Sequence, residues 1–221
     1  MHLTVKKIEK YFGKQAILKL ENFELRTGET VGIFGRNGSG KSTLMKILFG
    51  TIKANACSLQ LDAVPFDPAT TIARKLIAYL PQHSFLPTDL KVRDLIPLML
   101  PDGEAQNRVF YSPGVASLDK QRIGSLSIGQ VKYLEFLLVA YLDHPFLMLD
   151  EPFSMIDPLY HQIIKDVICS LMASKGVLVI DHYYDSVWEV TNRNYVLVDG
   201  SLSLIWTKDE LTKNGYLPSR S

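Results

Sequence analysis

The chain opens with short apolar runs at residues 3–8, 16–18 and 23–25, separated by the polar glycine turns Phe12-Gly13-Lys14 and Thr27-Gly28-Glu29. Runs of this length between turns predict an antiparallel β opening. Val31-Gly32-Ile33-Phe34 then leads into a glycine-rich turn, and Leu44, Ile47 and Leu48 follow at helical spacing, so strand, loop and helix succeed one another here. Further compact apolar runs at 75–80, 146–149 and 177–180 predict buried strands, with a helical period over 159–172. The alternation predicts an α/β fold with a mostly parallel sheet. It breaks between about 85 and 142, where 92–99 and 127–142 carry helical spacing with no strand between them. This predicts a helical insertion whose two parts are joined by the stretch 101–125, rich in Gly, Pro, Asp and Ser, which reads as loop or weak structure. Near the end, apolar runs at 195–198 and 202–205 flank Asp199-Gly200, a strong hairpin turn.

Composition adds limits. The 221 residues suit one large domain, and 47% hydrophobic against 21% charged residues places the chain among globular proteins. With 24 basic and 23 acidic residues the net charge is +1, which offers no general attraction to nucleic acid or anionic lipid. Cys57 and Cys169 are too few and too far apart for a disulfide framework or a zinc site, which fits a reducing compartment. The first residues reach Lys6 and Lys7 without an apolar core, unlike a signal peptide. The charge-free apolar stretches 95–101 and 136–142 fall well short of the ~20 residues of a membrane helix. A soluble chain is expected, meeting a membrane only through a partner.

Two motifs carry chemistry. Gly35-Arg36-Asn37-Gly38-Ser39-Gly40-Lys41-Ser42 matches the phosphate-loop pattern, placed between a predicted strand and a predicted helix. Glycines let backbone N–H groups curl around phosphate oxygens, Lys41 reaches the β and γ phosphates, and the Ser42 hydroxyl can ligate magnesium. Phe146-Leu147-Met148-Leu149-Asp150-Glu151 is an apolar strand ending in two carboxylates. There Asp150 is placed to hold magnesium through water, and Glu151 to polarise an attacking water.

Many phosphate-loop enzymes would share those two motifs, so the residues between and after them decide. Leu126-Ser127-Ile128-Gly129-Gln130 opens a helix with Ser127 as N-cap, Gln82 lies ahead of it in Tyr79-Leu80-Pro81-Gln82, and His182 follows the strand at 177–180. In this order the sequence resembles the nucleotide-binding subunit of ATP-binding-cassette (ABC) transporters, over nearly the whole chain. The resemblance identifies a Walker A loop ending in Thr43, a Q-loop at Gln82 and a signature at 126–130. It also identifies Walker B through Asp150 with Glu151, a D-loop Ser154-Met155-Ile156-Asp157, and a switch histidine, His182.

The resemblance implies a phosphate-loop core with an N-terminal antiparallel β part and an inserted helical part carrying the signature. That makes one domain over 1–221, with 85–142 inserted between 1–84 and 143–221. It implies hydrolysis of ATP with Mg2+, in which Glu151, His182 and Gln82 are catalytic and Ser42, Gln82 and Asp150 hold the metal. Nucleotide contacts fall to Phe12, Asn37, Gly38, Ser39, Gly40, Lys41, Ser42 and Thr43, with Ser127, Gly129, Gln130 and Asp157 contributed by a second chain. Phe12, followed by Gly13, is the aromatic indicated for stacking on adenine, with Tyr11 the neighbouring candidate. The implied partners are an integral-membrane permease and a second nucleotide-binding subunit, identical or not, with no nucleic acid; the implied location is the cytoplasmic face of a membrane.

Four positions depart from the family pattern: Ile128 for a signature glycine, Tyr133 for an arginine, Ile156 for a D-loop leucine, and Asp181 for a Thr or Ser before the histidine. None removes a catalytic group. Asp181 raises the expectation of tuning the His182 imidazole, although adjacent strand positions face opposite ways. Three rivals remain. A non-transport ABC ATPase of translation or DNA repair usually carries tandem cassettes or basic extensions, a small-molecule kinase lacks the signature and switch histidine, and the intact Glu151 and His182 argue against a module that binds ATP without turnover.

Overall fold

A computed structural model describes residues 1–213 and 216. Its first sheet has four antiparallel strands in the order β2-β1-β4-β5, from β1 (His2–Phe12), β2 (Gln15–Arg26), β4 (Ala56–Leu61) and β5 (Val64–Phe66). The short apolar runs of the opening are parts of two long strands, joined through Gly13 and paired from His2 with Arg26 to Phe12 with Gln15. The strands β4 and β5 went unforeseen. Their turn, Asp62-Ala63, has both residues at positive φ, which suits a tight hairpin.

The second sheet has the order β10-β9-β3-β8-β7-β6. Strands β3 (Thr30–Phe34), β6 (Ile77–Leu80), β7 (Phe146–Asp150), β8 (Gly176–Ile180) and β9 (Arg193–Val198) run parallel, and β10 (Ser201–Ile205) returns antiparallel on β9. Its central strands β3, β7 and β8 are buried on both faces, which is why they read as unbroken apolar runs. Alternate residues serve two cores. Val31, Ile33, Phe146, Met148, Leu178 and Ile180 join α1 (Lys41–Phe49) and the antiparallel sheet. Phe34, Leu147, Leu149, Val177 and Val179 join the opposite core, with α4 (Ile128–Ala140), α5 (Pro158–Leu171) and α6 (Tyr184–Val190).

Helices α2 (Val92–Met99), α3 (Gly103–Phe110) and α4 lie in the crossover between the paired strands β6 and β7. The loop expected over 101–125 is corrected by α3. Its N-cap Asp102 accepts a 2.8 Å hydrogen bond from the Ala105 N–H, Glu104 and Arg108 sit at the ends their charges favour, and Val109 is buried. A short α7 (Asp209–Lys213) closes the described chain. Among the described residues no helix is long and apolar enough to cross a membrane.

Candidate functional site

The carboxyl ends of β3, β7 and β8 converge on one edge of the parallel sheet, where ligands of such folds bind. After β3 the chain turns through the glycine loop into α1, whose N-cap Gly40 stands at φ 106° and offers no side-chain cap. A Cβ there would lie 2.9 Å from Ile17, so glycine is required both by conformation and by space. The uncapped N–H groups of the first turn form an anion site.

Lys41 is largely buried, and its Nζ donates to the carbonyls of Gly35 at 2.6 Å and Arg36 at 3.1 Å. Burial lowers its pKa, while the Asp150 and Glu151 charges oppose that shift. Ser42 donates to Asp150 Oδ1 at 3.1 Å, and the Tyr79 hydroxyl donates to Asp150 Oδ2 at 3.0 Å. Burial raises the Asp150 pKa, partly offset by these two hydrogen bonds. It also raises that of the Tyr79 phenol, so this group stays a protonated donor.

Glu151 adopts left-handed backbone geometry at φ 63°, a conformation costing about 1–3 kcal/mol for a non-glycine residue. Its N–H donates to the Ile180 carbonyl at 2.7 Å, and its Oε1 lies 2.9 Å from His182 Nε2. The strained turn therefore aims the carboxylate from the end of β7 across to the residue following β8. Asp181 does something other than expected. Its buried carboxylate accepts from the N–H groups of Phe153 at 2.7 Å and Tyr183 at 3.0 Å, and from the Ser154 hydroxyl at 3.3 Å. It pins the loop after β7 to the loop after β8.

A cavity of about 410 Å³ gathers Phe12, Ile17, Asn37, Gly38, Ser39, Gly40, Lys41, Ser42, Thr43, Gln82, Asp150, Glu151 and His182. Phe12 is half exposed at its rim with Lys10 Nζ 4.9 Å from the ring centroid, whereas Tyr11 does not line the cavity. Ser127, Gly129, Gln130 and Asp157 lie outside it. Ser127 and Gln130 form a reciprocal capping box, Asp157 caps α5 through the Leu159 N–H, and Gly129 packs against the D-loop, where an added Cβ would come 3.2 Å from the Met155 carbonyl.

The four departures have local accounts. Ile128 is exposed at the first position of α4 and leaves the capping box intact. Tyr133 is buried and stacked on Tyr160, ring centroids 4.4 Å apart. Ile156 joins the core, and Asp181 is the pin just described. Sequence reasoning missed Tyr79, although Tyr79 pairs with Met148 in the parallel β6–β7 register, two residues before Asp150.

The donor set suits a magnesium nucleotide. A hydroxyl and a carboxylate held together, with the Gln82 amide on the same cavity, supply the hard oxygen ligands that Mg2+ prefers.

Residues 18–154 match the family model described as ABC transporter. Among curated relatives, the lipopolysaccharide export system ATP-binding protein LptB of Escherichia coli strain K12 is 28% identical, covering 97% of this chain and 94% of the relative. The Nod factor export ATP-binding protein I of Paraburkholderia xenovorans strain LB400 is 27% identical over 203 residues, 88% of this chain and 67% of the relative. Solved structures agree in fold. An ATP-binding subunit of an ABC transporter superposes with TM-score 0.84 at 21% identity, covering 100% of this chain and 96% of the other. An ATP-binding cassette in its ADP conformation gives 0.75 at 23%, covering 96% and 94%.

Proposed function

The chain belongs to the ABC transporter family, whose ATP-binding cassettes hydrolyse ATP to power transport, and from that premise we infer how its own residues carry out the reaction. The phosphate loop and the α1 N-terminus hold the triphosphate, Lys41 leaves its carbonyl partners for the β and γ phosphates, and Phe12 stacks on adenine. Ser42, Asp150 and Gln82 would hold Mg2+, which when bound neutralises charge on the β and γ phosphates. Glu151 positions and deprotonates the attacking water, and His182 orients Glu151 and contacts the γ phosphate.

The observation that carries this reading is the pairing of Glu151 with His182 at 2.9 Å on the same cavity as the phosphate loop. A base must be held within hydrogen-bond reach of its target and its orienting partner, and here the residue after β8 supplies the partner. Ser127, Gly129, Gln130 and Asp157 complete the site of a second chain packed head to tail, identical or not. The exposed apolar residues Ile128, Met155 and Leu159 beside them support that pairing. We place residues 85–142 as a helical subdomain of a single domain, beside a membrane permease on the cytoplasmic side.

Glu151→Gln tests the assignment. Turnover should fall roughly 10²-fold or more, the range for loss of a positioned base, while nucleotide binding persists. Near-normal turnover would remove Glu151 from the mechanism.

A further inference from the structure

Residues 82–85 connect the end of β6 to the helical crossover without regular structure, and all four are exposed. Gln82 lines the nucleotide cavity. A segment of this kind holds no fixed place unless something anchors its backbone. Among the described residues its hydrogen bonds run to α4. Lys132 Nζ donates to the Gln82 carbonyl at 2.6 Å. One oxygen of Glu135 accepts from the Phe85 N–H at 2.8 Å, and the other accepts from the Ser84 hydroxyl at 3.3 Å. Lys132 and Glu135 are themselves 3.4 Å apart, one turn from each other on the helix.

The Glu135 side chain is fully buried and that of Lys132 only 12% exposed. A buried ion pair is seldom a source of net stability, because an apolar pair of similar volume avoids the desolvation cost. What this pair supplies is position. It grips both ends of the segment by groups that do not include the Gln82 side-chain amide, and Gln82 lines the cavity. The same helix begins with Ser127 and Gly129, which do not line the chain's own cavity. Lys132 and Glu135 follow Ser127 by five and eight residues, about 8 and 12 Å along the axis.

We propose that Lys132 and Glu135 are positioning residues, a latch that fixes Gln82 to the signature helix so that Gln82 takes its catalytic place only when α4 is in register. The proposal rests on the reading of Gln82 as a residue of the active site. When α4 shifts as the partner chain's nucleotide engages Ser127, the latch carries the shift to Gln82 in its own chain, linking the two halves of a shared site. Neither latch residue touches nucleotide.

The test uses the 221-residue chain and five variants: Gln82→Ala, Lys132→Met, Lys132→Arg, Gln82→Ala combined with Lys132→Met, and Glu135→Gln. Lys132→Met should lower kcat about tenfold and leave KM for ATP within about twofold, since the phosphate loop is untouched. Lys132→Arg, which can still donate to the Gln82 carbonyl, should recover most of the loss. Because Lys132 acts through Gln82, the double variant should be no slower than Gln82→Ala alone, a non-additivity expected of coupled residues. Amide exchange at Phe85 provides a readout separate from activity: Glu135→Gln, which drops the ion pair but keeps an acceptor, should accelerate it. If Lys132→Met does not fold, Glu135→Gln takes its place in the kinetic cycle. Losses that multiply in the double variant, a loss confined to KM, or no recovery with arginine would overturn the latch. Unchanged kcat in Gln82→Ala would overturn the reading of Gln82 and the latch with it. A slow Gln82→Ala beside a normal Lys132→Met would overturn the latch alone.

Discussion

Replacing Asp181 by alanine strands three donors at once: the N–H groups of Phe153 and Tyr183 and the Ser154 hydroxyl. Phe153 is wholly buried, so its N–H cannot turn to water and bears an unmet-donor cost of about 1–3 kcal/mol. Tyr183 is half exposed and Ser154 partly exposed, so water replaces much of what they lose. A net loss of about 2–3 kcal/mol follows, which for a domain of this size lowers Tm by about 4–12 °C.

Differential scanning calorimetry on Asp181→Ala and Asp181→Asn checks the size, and urea unfolding across pH checks the sign. Burial, with the Glu151 charge adding to it, raises the folded-state pKa of Asp181 despite the opposing backbone hydrogen bonds. The folded state therefore binds that proton more tightly than the unfolded state does. The stability linked to it is fully present below the unfolded pKa of about 3.9 and is lost as pH rises through the folded value. The advantage of the native protein over Asp181→Asn should accordingly narrow as pH rises above about 4. A Tm change under 2 °C, or an advantage that widens with pH, would refute the reasoning. Asp181→Thr, which removes the same carboxylate from the loop at 153–154, should also lower Tm.

Phe12→Ala should weaken ATP binding by about 1–3 kcal/mol, the scale of a base stacked on an aromatic ring, while Tyr11→Ala leaves it alone; titration with a fluorescent ATP analogue reads both. Tyr79→Phe frees one oxygen of Asp150, so the magnesium concentration for half-maximal ATP binding should rise severalfold, with binding measured in EDTA unaltered. Ile128→Gly should change hydrolysis and ATP-driven dimerisation by less than tenfold, because the side chain is exposed and the capping box forms without it; a larger rise in either would mean the isoleucine obstructs the partner.

The phosphate loop could be read from sequence because its strand, turn and helix are contiguous, and each announces itself within a dozen residues. Strands β7 and β8 were legible for a similar reason, burial on both faces leaving no polar position to confuse the pattern. Helix α3 was lost because only Val109 of its eight residues is buried, too few to set a period. Strands β4 and β5 were lost because Cys57, Ser58 and Val64 are exposed, and because β4 takes its place by pairing with β1 some fifty residues earlier and β5 by pairing with β4. The hydrogen bond from Tyr79 to Asp150 and the contacts of Lys132 and Glu135 with 82–85 join distant segments, and no local spacing encodes them. For Asp181, sequence gave the alternation of strand faces but not what the inward face would meet.

Gly129 leaves so little room above the Met155 carbonyl that the signature turn and the D-loop form a single contact surface within one chain. Had these segments been independent, each would have to be ordered separately when two chains meet, at a conformational cost that weakens association. Packed together, they present one surface to any neighbour, and less is left to order when that surface is covered. Any larger residue at position 129 would therefore press on the D-loop as well as on whatever the signature turn meets.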